Sequence, residues 1–246
     1  MLGVTSDISA EKNTVGQADL HIHSTYSDGQ ATVAQILNYV EFRTSLDVIA
    51  ITDHDQLTGA LQMRDFAARK SLRIQVIAGM EVSTRDGHLL ALNVEQPIPA
   101  GLAMAETIQA IHEQHGIAIV AHPLSPWCPS ARLDTLRSLV DCPPDAIEVH
   151  NASFAGVGSN ARVRLANRTL FGWAETGSSD AHNLSAIGSS LTRFPGTTIA
   201  DLLAAIARRT TSAVAGYWPT AALAGYGYAS VRDSLRMRSR SLAVRG

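Results

Sequence analysis

Val48-Ile49-Ala50-Ile51-Thr52-Asp53-His54-Asp55 joins four apolar residues directly to four polar ones. The apolar half reads as a buried strand, being short and rich in β-branched residues. Burying unpaired polar groups is costly, so the residues after Ile51 belong at the strand's exit and not in the core. A strand whose carboxyl end opens onto chemistry-bearing residues is how β/α barrels build their sites. Working outward, the same rhythm recurs on both sides. Residues 18–23 read as a strand, and residues 33–43 as a helix with Val33, Ile36, Leu37 and Val40 on one face. Further strands are expected at 75–78, 88–94, 117–121, 146–149, 173–177 and 212–215. Helices are expected at 59–70, 104–115, 132–140, 160–169 and 199–209, with Gly116 as the stop after His115. Strands alternating with helices imply an α/β fold with a mainly parallel sheet. Such units in a row without a linker favour one closed or nearly closed barrel over two domains. The domain reading is a mobile arm at 1–17, a barrel at 18–216 and an extension with a basic tail at 217–246.

The chain has 246 residues, 46% of them apolar and 17% charged, enough to bury a sizeable core and too apolar for disorder. With 20 Lys+Arg against 22 Asp+Glu the net charge is −2, which argues against a protein that coats nucleic acid through a broad basic surface. Cys128 and Cys142 cannot build a disulfide framework or a cysteine zinc site. The first residues lack a basic flank followed by an apolar run, and the apolar stretch at 213–229 is broken by Gly216, Pro219, Gly225 and Gly227. A cytoplasmic protein without membrane contact is expected. The tail carries Arg232, Arg236, Arg238, Arg240 and Arg245 against Asp233, and reads as a solvated or frayed terminal helix.

Chemistry-bearing residues gather where strands should end. His21 and His23 are two apart, so on a strand they point the same way, as a metal chelate or as a pair of hydrogen-bonded barrel histidines. Asp28-Gly29 then turns the chain and brings a carboxylate near the same mouth. His54 is the ligand candidate of the second cluster, with Asp53 or Asp55 holding an imidazole or capping the next helix. Glu81 either bridges two metals or pairs with Arg85. His88 opens a further strand, His122 sits at the lip of another before Pro123, and Asp180 and His182 repeat the two-residue spacing. His112 and His115 lie on a helix, as surface or helix-end histidines. His150 and Asn151 follow a strand and read as supports of ligands or as substrate contacts.

In order along the chain, DLHIHSTYSDG (19–29), ITDHD (51–55), GMEVS (79–83), GHLLAL (87–92), AHP (121–123), IEVHN (147–151) and GSSDAH (177–182) resemble the PHP (polymerase and histidinol phosphatase) family of metal-dependent phosphoesterases. The resemblance implies a single-domain, distorted (β/α)7 TIM-like barrel holding two or three divalent ions, Mn, Fe or Zn. It implies that His21, His23, Asp180 and a bridging Glu81 hold the first, that His88 and His122 complete the second, and that Asp28, His54 and His182 hold a third. The expected activity is hydrolysis of a phosphate ester, on a small phosphorylated metabolite or nucleotide, through a metal-bound hydroxide. Asp53 or His150 would protonate the leaving oxygen, while Asn151, Arg85, Arg132 and Arg193 are candidates for gripping the substrate. Three alternatives stand beside this reading. One is an exonuclease or nucleotide 3′/5′-phosphatase acting on oligonucleotide ends, which makes nucleic acid a less favoured partner. The others are a non-catalytic PHP-like metal-binding module and an amide or ester hydrolase.

Overall fold

In the computed structural model, which describes residues 14–226, Val48–Ile51 forms strand β2 with all four residues buried. Its two faces feed two apolar clusters. Val48 and Ala50 join Ala18, Leu20, Ile77, Leu90, Ile119 and Phe194, whereas Ile49 and Ile51 pack against the helix faces of Ile36, Val40 and Met63. A strand covered on both sides has no polar face to show, which is why it reads as an unbroken apolar run.

The remaining strands are β1 (Val15–Asp19), β3 (Gln75–Thr84), β4 (Gly87–Leu92), β5 (Ile117–Val120), β6 (Ala146–Asn151), β7 (Ala174–Ser178), β8 (Leu191–Pro195) and β9 (Ser212–Val214). Helices α1 (Val33–Arg43), α2 (Thr58–Lys70), α3 (Met104–Glu113), α4 (Leu133–Ser138), α5 (Asn160–Ala166) and α6 (Ile199–Ala207) alternate with them. The strands form one sheet in the order β7-β6-β5-β4-β3-β2-β1-β8-β9. It rolls up until its far edges meet. Gly177 of β7 donates to Thr192 Oγ1 of β8 at 3.1 Å and accepts from it at 2.9 Å. Beyond β1, His23 N donates to Ala181 O at 2.9 Å and Ala181 N to His21 O at 3.2 Å, stitching β1's continuation to that of β7. The α/β class and the nearly closed barrel agree with the sequence reading.

Helix α1 has the expected bounds. Thr32 Oγ1 accepts from Gln35 N while the Gln35 side chain accepts from Thr32 N, a reciprocal cap that fixes where the helix starts. Helix α3 ends otherwise than expected: His115, not Gly116, takes the left-handed turn at φ 57°. Gly116 is needed for closeness, since a Cβ there would lie 2.7 Å from Val94 Cγ1 and 2.9 Å from Leu92 O.

Three further features differ from the expected layout. Strand β3 runs on through Gly79 to Thr84, so Glu81 lies within a strand and not past its end. It then turns back directly, Thr84 pairing with Gly87, and β4 is antiparallel to both of its neighbours. Strand β8 is additional to the expected strands and pairs antiparallel with β1, Val15 to Pro195 and Gln17 to Arg193. Residues 15–17, expected in a mobile arm, are therefore strand. At the other end, residues 217–226 of the expected extension pack on the barrel, Trp218 N donating to Ala152 O at 3.1 Å and Asn183 Nδ2 to Ala222 O at 2.9 Å. The rest of the extension, with all of its basic tail, lies outside the described residues. Among the described residues no helix is long and apolar enough to cross a membrane.

Candidate metal centre

Strand parity explains how ligand-type side chains reach one place. On β3, Ile77 belongs to the inner apolar cluster, and Gly79 and Glu81 follow at two-residue steps on the same face. A Cβ at Gly79 would lie 2.9 Å from the backbone oxygen of Ala91, so glycine here lets β4 lie close beneath Glu81. On β4, Leu90 and Leu92 belong to the inner cluster, and His88 shares their parity. Because the β3–β4 hairpin reverses the chain, the start of β4 lies at the same mouth as the exits of the parallel strands. His122 and Asp180 turn inward directly after β5 and β7, with φ at 29° and 51°. Non-glycine residues seldom adopt this backbone, and here it sets His122 Nε2 2.9 Å from Glu81 Oε1 and Asp180 Oδ1 3.2 Å from His23 Nε2.

Glu81 is the hub. It is 1% exposed and touches five imidazoles. Its Oε1 lies 2.8 Å from His88 Nδ1 and 2.9 Å from His122 Nε2. Its Oε2 lies 3.1 Å from His21 Nε2, 3.2 Å from His54 Nδ1 and 3.3 Å from His23 Nε2. Asp180 Oδ1 faces His23 Nε2 at 3.2 Å and His21 Nε2 at 3.5 Å. On the outer side, Asp28 Oδ2 lies 3.0 Å from His182 Nε2 and 3.9 Å from His54 Nε2. Four overlapping groups of donors have the spacing of a metal site: His23-Asp28-His54-His182, His21-Glu81-His122, His21-His23-Asp180 and His54-Glu81-His88. Together they contain all nine residues expected as ligands and no others. His54 belongs to two of them, next to Glu81 and His88 as well as to Asp28 and His182. The donor set fits divalent cations on a direct observation: His21 Nε2, His23 Nε2 and His88 Nδ1 are buried and face carboxylate oxygens at 2.8–3.5 Å without the alignment of a hydrogen bond. Imidazole nitrogens and carboxylate oxygens together suit Mn, Fe and Zn.

A surrounding layer orients these side chains. Glu148 Oε1 lies 3.0 Å from His21 Nδ1 and accepts its proton, which aims Nε2 at the centre as the nitrogen that would bind a cation. Its Oε2 accepts from His122 N at 2.7 Å and from Asn151 Nδ2 at 3.1 Å. Asn151 Nδ2 also reaches Asp180 Oδ2 at 3.3 Å, as does Ser153 Oγ at 2.8 Å. Asp19 accepts from Ser179 N and Gly188 N and so anchors the segment that carries Asp180. Cys128 Sγ lies 3.3 Å from His122 Nδ1. Exchanging Glu148→Gln is expected to weaken cation affinity or activity by about 10–100-fold with the fold intact. Titrating the variant with Mn while following phosphate release measures it, and an unchanged metal dependence would refute the assigned role.

Charge and burial oppose each other here. Burial disfavours protonated imidazole, yet at His21 the carboxylates of Asp180, Glu81 and Glu148 outweigh it and hold the pKa well above the ordinary value. At His23 burial is likewise overcome, by Asp180 and Glu81, and the pKa is pushed up to about 9. Burial would raise Glu81 and Asp180, but the surrounding histidines, His21 foremost, keep both well below the usual carboxylate range. Protons and cations therefore compete for the same imidazole nitrogens, and metal binding here would release protons. Burial does prevail at His54, which is shifted down.

Several expected residues lie elsewhere. Asp53, a candidate proton donor, is fully buried and accepts from Ser24 N, Ser24 Oγ and Ser27 Oγ, each at 2.7 Å. It ties down the loop after His23 and does not line the cavity over the donor cluster. His150, the other candidate, is turned away to the Gly216 backbone, with Nε2 2.8 Å from Gly216 O, and its ring lies against Tyr217. Asn151 supports Asp180 instead of facing the cavity. Arg85 is exposed and pairs with Glu106 at 3.2 Å. Arg132 is exposed ahead of α4, and Arg193 lies opposite Gln17, back along β1 from the His21 end. None of the three arginines lines the cavity. His112 pairs with Asp145 at the surface, as expected of a helix histidine. The cavity, of about 410 Å³, has Asp28, His54, Glu81, His88, His122, Asp180 and His182 in its wall, together with aromatic residues that the sequence reading had not singled out.

The PHP domain model matches residues 19–122, which carry His21, His23, Asp28, His54, Glu81, His88 and His122. The PHP-associated model matches residues 163–211, which carry Asp180 and His182. The chain belongs to the PHP family. An uncharacterised protein of Methanocaldococcus jannaschii is 33% identical to it over 147 residues, 55% of this chain and 82% of that protein. A phosphoribosyl 1,2-cyclic phosphate 1,2-diphosphodiesterase of Eggerthella lenta is 38% identical over 101 residues, 38% of this PHP chain and 37% of that enzyme. The chain thus spans well under half of this relative of stated activity. Among solved structures, a two-domain protein of Bacteroides vulgatus containing a predicted PHP-like metal-dependent phosphoesterase has a TM-score of 0.67 at 18% identity, over 82% of this chain and 65% of that one. At that identity the likeness concerns the fold.

Proposed function

We propose that this PHP protein is a metal-dependent phosphoesterase that hydrolyses the phosphate ester of a small phosphorylated metabolite or nucleotide. The observation that carries the proposal is the convergence of six imidazoles with Asp28, Glu81 and Asp180, in which buried nitrogens face carboxylate oxygens without the alignment of a hydrogen bond. Two or three divalent ions, Mn, Fe or Zn, are the cofactors this donor set suits, with Glu81 offering one oxygen to each side. When bound, they supply the positive charge that holds phosphoryl oxygens and the Lewis acidity that makes water nucleophilic at neutral pH.

The chain's own residues do the rest. Glu148, Asn151 and Ser153 hold His21 and Asp180 in one orientation, so the donors need little rearrangement on binding. Among the described residues the cavity wall has no Lys or Arg. Attraction for an anionic substrate would therefore fall to bound ions, and side chains contribute orientation and exclusion of water.

The test is phosphate release from a panel of phosphorylated metabolites and short oligonucleotides, with p-nitrophenyl acetate as a carbonyl control. Turnover of small phosphate esters that stops with a chelator and returns with Mn, Fe or Zn is the expected result. Hydrolysis confined to the acetate ester, or phosphate release indifferent to chelation, would overturn the proposal. Steep loss of activity with salt would instead mark a polyanionic strand as the substrate.

A further inference from the structure

Above its floor of histidines and carboxylates the cavity changes character. Trp127 and Phe154 line it as one ring pair, Trp218 and Tyr226 as another, and Leu223 joins them. Trp218 is buried and pinned by its Nε1 to Ser179 O at 2.7 Å, and its ring lies 5.5 Å from that of Tyr226. Trp127 and Phe154 differ: their rings are 4.8 Å apart, yet the residues remain 57% and 55% exposed.

This pair is held in place. Trp127 Nε1 donates to Val157 O at 3.1 Å, which fixes the indole against the loop that carries Phe154. Phe154 begins a short helical turn capped by Ser153, whose Oγ accepts from Ala155 N at 3.1 Å and shares its one proton between Asn151 Oδ1 at 2.7 Å and Asp180 Oδ2 at 2.8 Å. One serine therefore links the aromatic platform to a ligand-type carboxylate, and fixes the distance between them. Rigid, exposed aromatic faces beside a phosphate-handling centre suit a flat ring, because stacking on them is favourable for any nucleobase. A second phosphate on the substrate is held most strongly by an Arg or Lys partner. The wall offers none among the described residues, and Asp28 contributes a negative charge at its edge.

We infer that Trp127 and Phe154 are specificity-determining residues that stack on the flat aromatic end of a substrate carrying a single phosphate, a nucleoside monophosphate in chemical class. This rests on the phosphoesterase reading and names its substrate class. The test uses the full chain loaded with Mn and three probes: adenosine 5′-monophosphate, ribose 5-phosphate and adenosine 3′,5′-bisphosphate. The monophosphate is expected to exceed ribose 5-phosphate in kcat/KM by about tenfold or more, the size of one base–aromatic stack. It is also expected to exceed the bisphosphate. Trp127→Ala and Phe154→Ala should each cut that nucleotide-to-sugar ratio about tenfold, mainly through KM, and Trp127→Phe should restore most of it. Equal kcat/KM for the nucleotide and the sugar phosphate, preference for the bisphosphate, or variants that leave the ratio unchanged would overturn the inference while leaving the phosphoesterase reading standing. Absence of phosphate release from all three would overturn both.

Discussion

Exchanging Glu81 for glutamine is expected to abolish phosphoester hydrolysis while leaving the barrel folded. The substitution keeps size and shape but replaces a carboxylate that faces five imidazoles with a neutral amide. Its NH2 group would point at nitrogens that are otherwise aimed at the centre to bind a cation. Loss of a ligand-orienting partner costs about 10–100-fold, and removal of the shared ligand itself should exceed that. Both activity and bound metal should fall together, with unchanged circular dichroism. A Glu81→Gln protein with full turnover and full metal content would refute the role of Glu81 as the hub.

The second large effect is on stability. Phe194 of β8 is 1% exposed and packs among Ala18, Leu20, Leu202 and Ile206, where α6 meets the barrel. Gly16 lies directly under it, a Cβ there falling 2.5 Å from Phe194 Cζ. Phe194→Ala therefore empties a space that the glycine opposite cannot fill. A cost of about 3–5 kcal/mol is expected, which for a chain of this size lowers Tm by roughly 6–20 °C. Thermal unfolding in the presence of chelator measures it, and a shift within about 2 °C would show that β8 does not seal the barrel.

Phe194 also shows where sequence reading stops. Strands β2 and β5, Val-Ile-Ala-Ile and Ile-Ala-Ile-Val, are legible because both of their faces are buried. In β8, Leu191 to Pro195, only Thr192 and Phe194 are buried, while Arg193 and Pro195 are exposed, so no apolar run announces it. Gly79 resembles the end of a strand, although it is there for close approach to β4, and the continuation to Glu81 was hidden by it. The ligands were legible for the opposite reason. Spacings such as His21-His23 and Asp180-His182 fall at strand exits, where local geometry alone aims them. Trp127, Phe154 and Trp218 lie in loops without periodicity, and only the closed barrel brings them over the same cavity. The general-acid candidates failed similarly. Asp53 is taken up by Ser24 and Ser27, and His150 by Gly216, partners that sequence proximity does not reveal.

The most direct measurement of the central claim is elemental analysis of the full chain purified without chelator and supplied with Mn, Fe and Zn. The account predicts at least two divalent ions per chain, with fewer in His23→Ala and Asp180→Asn proteins that remain folded. A wild-type chain that binds no stoichiometric divalent ion, or variants that bind as much as wild type, would contradict it.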